Sequence, residues 1–207
     1  MSIKSPKTRR KSQVKRQQIL AAATHLFTEN GYATTSMDLI AKQAEVSKQT
    51  VYSHFGNKDE LFAAAIEHKC DSYHMVDVEL DDLADPKAAL LKVAQRFFTM
   101  LSSKEASAMH KICAYETKGH PQVAELFYQA GPEKLTQEIS QLMTTLHEQK
   151  ALKIPNPHFA ALQFLSIMEG EAWLRIQFNT KYQVSQDEID QYLLSSVELF
   201  MRGYACS

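Results

Sequence analysis

The sequence predicts an all-α protein, with a three-helix N-terminal domain followed by a larger helical domain and about nine helices in total. Three observations predict it. Glycine and proline number only six each in 207 residues. Apolar residues recur at i, i+4, i+7 and i+8, the spacing that lines one face of a helix. Successive segments open on capping residues, and no stretch sustains the alternation of a strand.

Residues 1–12 (MSIKSPKTRRKS) are basic, polar and without periodicity, and so predict a flexible arm. From about Val14 the helical pattern begins, with Ile19, Ala23, Leu26 and Phe27 on one face, and Asn30-Gly31 supplies a glycine stop. Thr35 opens a second helix as a capping-box variant, with Asp38 three residues on and Leu39, Ile40 and Ala44 as its buried face. After the turn Ala44-Glu45-Val46, Ser47 caps a third helix from Lys48 to His54 or Phe55. Asn57, with Glu60 at its third position, starts a fourth that continues through Leu61, Phe62, Ala65 and Ile66.

The acidic stretch Asp77 to Asp85 reads as a linker, and five further helices follow at about 86–102, 105–118, 121–149, 157–179 and 185–203. Asp85-Pro86, His120-Pro121, Asn156-Pro157 and Ser185 with Glu188 mark their starts. The domains are therefore the arm at 1–12, a first domain at 13–60 and a second at 61–207.

Two short helices joined by a tight turn, 35–44 and 47–54, have helix-turn-helix spacing. The second must be short, because it has to enter a groove about 12 Å wide. Eight residues make a rod of roughly 12 Å. Val51 and Phe55 would lock its inner face, leaving Lys48, Gln49, Thr50 and His54 outward. Gln suits adenine edges, Lys suits guanine or phosphate, and the Thr methyl suits thymine. Thr35 and Ser36 stand at a helix start that favours phosphate, with Tyr52 and Lys58 placed for the opposite strand.

Charge agrees with this reading. Residues 1–60 carry ten Lys/Arg against five Asp/Glu, a net +5, while 61–207 carry −6. Ordinary caps on a small helical bundle would look the same by pattern alone, as would a basic tail with no partner.

A resemblance decides between them. Ile19 to Ala23, Leu26-Phe27, Asn30 to Ser36, Ile40-Ala41, Ala44, Val46-Ser47, Thr50 to Tyr52, His54-Phe55, Asn57-Lys58 and Leu61-Phe62 resemble the TetR family of regulators, almost continuously over residues 15–65. The resemblance implies a transcription regulator, a three-helix DNA-binding domain, an all-helical ligand-sensing domain, and a homodimer built mainly on the last two helices. It assigns double-stranded operator DNA to Thr35, Ser36, Ser47, Lys48, Gln49, Thr50, Tyr52, His54 and Lys58. Glu45 stands where the family usually has glycine, so its backbone either keeps φ below zero or carries mild strain. Lys111 to Glu116, His120 to Tyr128 and Gly131-Pro132 resemble the AefR-like subgroup.

The same resemblance implies a cavity in the second domain. Its candidate lining is Phe97, Met100, Leu101, Cys113, Glu116, Phe127, Phe164, Met168 and Trp173, suited to a small apolar or aromatic effector; core packing explains the same residues. Phe159, Leu162, Leu165, Ile189, Leu193, Val197 and Phe200 form helical stripes fit for a four-helix dimer contact, and a monomer could use the same stripe as core. The expected mechanism is a repressor released when the effector tilts the fourth helix. An activator or effector-independent regulator with the same DNA domain is the alternative, and a ligand-binding helical protein not using DNA is a second.

No nucleophile motif, phosphate loop or paired-carboxylate site occurs, so no enzyme and no cofactor is expected. Cys70 and His74 are four apart, but His68 and Asp71 lie on another side of the helix, so no metal site is expected. Cys70, Cys113 and Cys206 make no disulfide framework. No apolar run reaches the ~20 residues of a membrane span, and the start carries no apolar signal core. A cytoplasmic protein with no membrane partner is expected.

Overall fold

The computed structural model describes residues 6–77, 84–116 and 119–206, with the side chains of 6–9, 115 and 116 left aside. Among these residues the chain is helical and has no strand. The segments are α1 (Pro6–Thr34), α2 (Met37–Gln43), α3 (Lys48–Phe55), α4 (Lys58–Asp71), α5 (Pro86–Ser102), α6 (Lys104–Glu116), α7 (Pro121–Tyr128), α8 (Lys134–Glu148), α9 (Pro157–Gln177) and α10 (Gln186–Gly203). A π-helical turn, Gln129–Glu133, joins α7 to α8.

The helix starts follow the capping chemistry. The Ser47 hydroxyl accepts the Thr50 N–H, Asn57 accepts from Glu60, and Asn156 accepts from Phe159. At Asp85 one carboxylate oxygen accepts from both Lys87 and Ala88, and at α10 Ser185 and Glu188 close a reciprocal capping box.

Three expectations change, and one alternative closes. Residues 6–12 of the expected arm are the first turns of α1, because Pro6 suits a helix start and Lys, Arg and Gln are good helix formers; residues 1–5 lie outside the described part. The cap of α2 is Ser36, whose hydroxyl accepts the Leu39 N–H, rather than Thr35. The expected helix 121–149 is broken at Gly131-Pro132, since proline has no N–H to give and its ring crowds the carbonyl four residues back. Counting α7 to α8 as one bent rod recovers nine helices. Glu45 takes φ 54, so the tight turn carries strain there. The linker residues 78–83 lie outside the described part.

The chain forms two compact units, Met1–Lys69 with Ala108–Gly131, and Cys70–Ser107 with Pro132–Ser207. The sequence division at residue 60 differs, since α4 stays with the first unit through Lys69 and the segment 108–131 joins it. In the first unit Ile19, Leu20, Phe27, Ile40, Val51, Leu61 and Phe62 are buried, with α1 against α2 and α2 against α3. Phe27, Tyr32 and Phe62 form an aromatic knot with ring centroids 5.1–6.0 Å apart. In the second unit α9 packs on α5, α8 and α10 around Leu90, Phe97, Ile139, Met143, Phe164, Met168 and Val197.

Candidate nucleic-acid interface

The site begins with α3. Val51 and Phe55 are buried and anchor its inner side, and the Arg16 guanidinium lies 5.1 Å from the centre of the Phe55 ring. Its outer side carries Lys48, Gln49, Tyr52 and Ser53, all exposed. Thr50 and His54 are half-buried beside them. The Thr50 hydroxyl meets the Ser47 hydroxyl at 2.8 Å, which ties its rotamer to the cap. Eight residues at about 1.5 Å each give a rod near 12 Å long, matched to a major groove.

Beside this face lies a shallow concavity of about 380 Å³ whose rim includes Ser36, Lys48, Tyr52, Asn57 and Lys58. Lys58 reaches it from the start of α4, donating to the Ala33 carbonyl at 3.3 Å and lying 4.1 Å from the Tyr32 ring centre. The Tyr32 hydroxyl donates to Asp59. One buried tyrosine thus fixes the entry of α4, and with it the place of Lys58.

Lys48 has a partner that the sequence did not announce: Asp38 of α2, at 2.7 Å. The hydrogen bond and the charge of Asp38 hold the Lys48 amine above its ordinary range, so it stays protonated. The ammonium also lies 5.9 Å from the Tyr52 ring centre. Asp38, Asn57 and Ser53 were not among the expected site residues. Asp38 and Lys48 are ten residues apart on different helices, which no helical period relates; Asn57 was visible only as a cap.

Thr35 departs from expectation. It is only 1% exposed, and its hydroxyl donates to the carbonyls of Leu26 and Gly31 at 3.1 and 2.7 Å. Gly31, at φ 83 and ψ 171, breaks α1 in a region open essentially to glycine. Thr35 therefore pins the end of α1, while Ser36 faces outward.

The residues expected to line an effector cavity are divided between the two units. Phe97, Met100, Phe164 and Met168 are sealed in the core of the second unit, and Leu101 and Trp173 pack against it. Cys113 is buried and Phe127 half-buried in the other unit; the Glu116 side chain lies outside the described part. Large apolar side chains at core spacing serve each other first. The second unit has a cleft of about 410 Å³, with Phe98, Thr99, Ile176 and Ile189 among its walls.

The dimer stripe also divides. Leu165, Leu193, Val197 and Phe200 belong to the chain's own core, and Ile189 packs against it. Phe159 and Leu162 are left outside, 58% and 41% exposed.

A short, capped, outward-polar helix seated on a three-helix base defines a helix-turn-helix regulator. Residues 19–65 match the family described as bacterial regulatory proteins, tetR family, and residues 88–206 match the AefR-like transcriptional repressor, C-terminal domain. The transcriptional regulator HbdR of Aromatoleum sp. (strain CIB) is 31% identical over 105 residues, 46% of each chain. The aligned parts span half or less of the curated relatives HbdR, YhgD and NicS. Two solved structures extend over nearly the whole length. A TetR-family regulator from Mesorhizobium loti gives a TM-score of 0.79 at 25% identity, covering 94% of this chain and 98% of that one. The flavonoid-responsive regulator FrrA gives 0.72 at 32% identity, covering 91% and 96%.

The chain belongs to the TetR family. It is a DNA-binding transcriptional regulator and not an enzyme. No helix among the described residues is long and apolar enough to cross a membrane.

Proposed function

We propose that the protein is a homodimeric repressor that holds a partly palindromic operator through α3 and releases it when a small molecule occupies the C-terminal unit. The outer face of α3 carries this reading. Lys48, Gln49 and Tyr52 stand exposed on a helix whose other side is locked by Val51 and Phe55. Gln49 and Lys48 would read base edges. Ser36, Tyr52 and Lys58 would hold phosphates, and Thr35 would act by pinning the α1 end. Ser47, Thr50 and His54 would set the depth of α3 in the groove.

Repression is supported by the match to AefR-like repressors. Dimerisation is supported by exposed apolar residues on the last two helices, Phe159 and Leu162 on α9 and Leu199, 59% exposed, on α10. A two-fold pair would place its recognition helices one DNA turn apart, roughly 34–36 Å, or a multiple of it. Release is supported by α4, which begins at Lys58 and ends at Asp71, where Lys134 of α8 pairs with it at 2.9 Å. A signal that moved α8 would pull on the helix that carries Lys58. FrrA, a flavonoid-responsive relative, favours an aromatic effector.

Selection of genomic fragments by the purified protein tests the reading. A partly palindromic site within a promoter is expected, with transcription from it falling when protein is added. Rising transcription would make the protein an activator. Recovery of no fragment would contradict the DNA reading, and operator affinity unchanged at saturating effector would contradict release.

A further inference from the structure

The cleft of about 410 Å³ in the second unit lies between α5, the end of α9 and the start of α10. It is within the ~300–1,000 Å³ range of small-molecule sites. Its position depends on a bend. Gly170 takes φ 58 and ψ −168 and breaks α9, and the two α9 residues that line the cleft, Ala172 and Ile176, both lie beyond it. Tyr192 of α10 fixes the bend, with its hydroxyl donating to the Ile167 carbonyl at 2.8 Å and its ring where a Gly170 side chain would be.

The lining is rich in acceptor oxygens. Thr99 spends its hydroxyl proton on the Gln95 carbonyl at 2.7 Å, and Ser102 spends its own on the Thr99 carbonyl at 3.2 Å. Gln183 gives an amide N–H to the Thr180 carbonyl at 3.1 Å, and Gln186 gives one to the Asp190 carboxylate at 2.9 Å. Thr99 and Ser102 therefore keep only an acceptor oxygen, while Gln183 and Gln186 each keep an oxygen and one further N–H. Asp190 adds a carboxylate, and no residue lining the cleft is Lys, Arg or His. Phe98, Val184 and Leu193 supply apolar walls.

We propose that this cleft, and not the sealed core, is the effector site, and that it takes an uncharged ring compound bearing several hydroxyl donors. This rests on the ligand-responsive reading above. Acceptor oxygens on apolar walls satisfy phenolic O–H groups. A carboxylate or phosphate ligand meets the Asp190 charge, with no cation in the lining to offset its desolvation.

Direct titration of the purified full chain without DNA tests this, so a failed DNA reading cannot be mistaken for a failed cleft. The probes are quercetin, its fully O-methylated form, which lacks donors, and decanoate. Quercetin should bind saturably, the methylated form at least tenfold more weakly, and decanoate not at all. Ser102→Phe, which fills the cleft, should weaken quercetin at least tenfold. Thr99→Val, at an exposed position where folding is undisturbed, should weaken it several-fold. No quercetin binding by the folded protein, equal binding of the methylated form, tighter binding of decanoate, or wild-type affinity in both variants would each overturn the proposal.

Discussion

The α2–α3 region and the α5–α10 core hold their side chains by different means. In α2–α3 the helix starts are fixed by local bonds, Ser36 to Leu39 and Ser47 to Thr50. Around the core the partners come from far along the chain: Phe164 of α9 packs edge-to-face on Phe200 of α10, and at the surface Lys87 of α5 pairs with Glu198, 111 residues away. A surface that must be presented to a partner is thus built on contacts that burial does not consume. A core built on distant contacts draws in every large apolar side chain it can reach. Substitutions on the α3 face should therefore alter binding with little cost in stability, whereas substitutions in the core should do the reverse.

The largest effect tests the core half of that contrast. Phe164→Ala should destabilise by about 3–5 kcal/mol, the cost of a cavity at a fully buried aromatic position; calorimetric unfolding would show it. A small loss of stability joined to a large loss of effector binding would instead make Phe164 a ligand contact. Gly170→Ala comes next, at about 1–3 kcal/mol. The backbone there is strained for any other residue, and a Cβ would sit 2.6 Å from the Tyr192 ring. Denaturant midpoints at constant slope would measure it.

On the α3 face, Gln49→Ala should weaken operator binding by about 1–3 kcal/mol, with stability unchanged within about 0.5 kcal/mol. A fall in melting temperature matching the loss of affinity would break the contrast. Glu45→Gly should stabilise the turn by about 0.5–1 kcal/mol, since φ 54 costs glutamate more than the extra chain entropy of glycine.

The smallest effect is at α10. The Ser185 backbone N–H and hydroxyl hold the Glu188 carboxylate below its usual 4.5. Its stabilising contribution is therefore present above the unfolded value and lost as pH falls through the folded one. Glu198, lowered by Lys87, behaves alike. Glu138 is raised by burial, and so opposes the trend. In Glu188→Gln the loss of stability below about pH 4.5 should be shallower than in the wild type, as followed by acid titration of helicity.

How far the sequence could be read follows the same contrast. The caps at Ser47, Asn57, Asp85, Asn156 and Ser185 were legible because each bonds to a residue two or three further on. The Asp38–Lys48 pair was not, because its partners meet only once α2 and α3 cross. Thr35 and Ser36 are adjacent hydroxyls, and only packing decides which turns inward. Phe159 and Phe164 share one helix, yet the first is exposed and the second sealed. Apolar periodicity marks a face without saying what covers it.

If the outer face of α3 reads sequence, Gln49 should matter on the operator and not on other DNA. Binding of the wild type and Gln49→Ala to the selected operator and to an unrelated duplex, at the same salt, tests it most directly. Operator affinity should be lower by about 1–3 kcal/mol in the variant, with affinity for the unrelated duplex unchanged. Equal affinity of both proteins for the operator, or an equal loss on both duplexes, would contradict it.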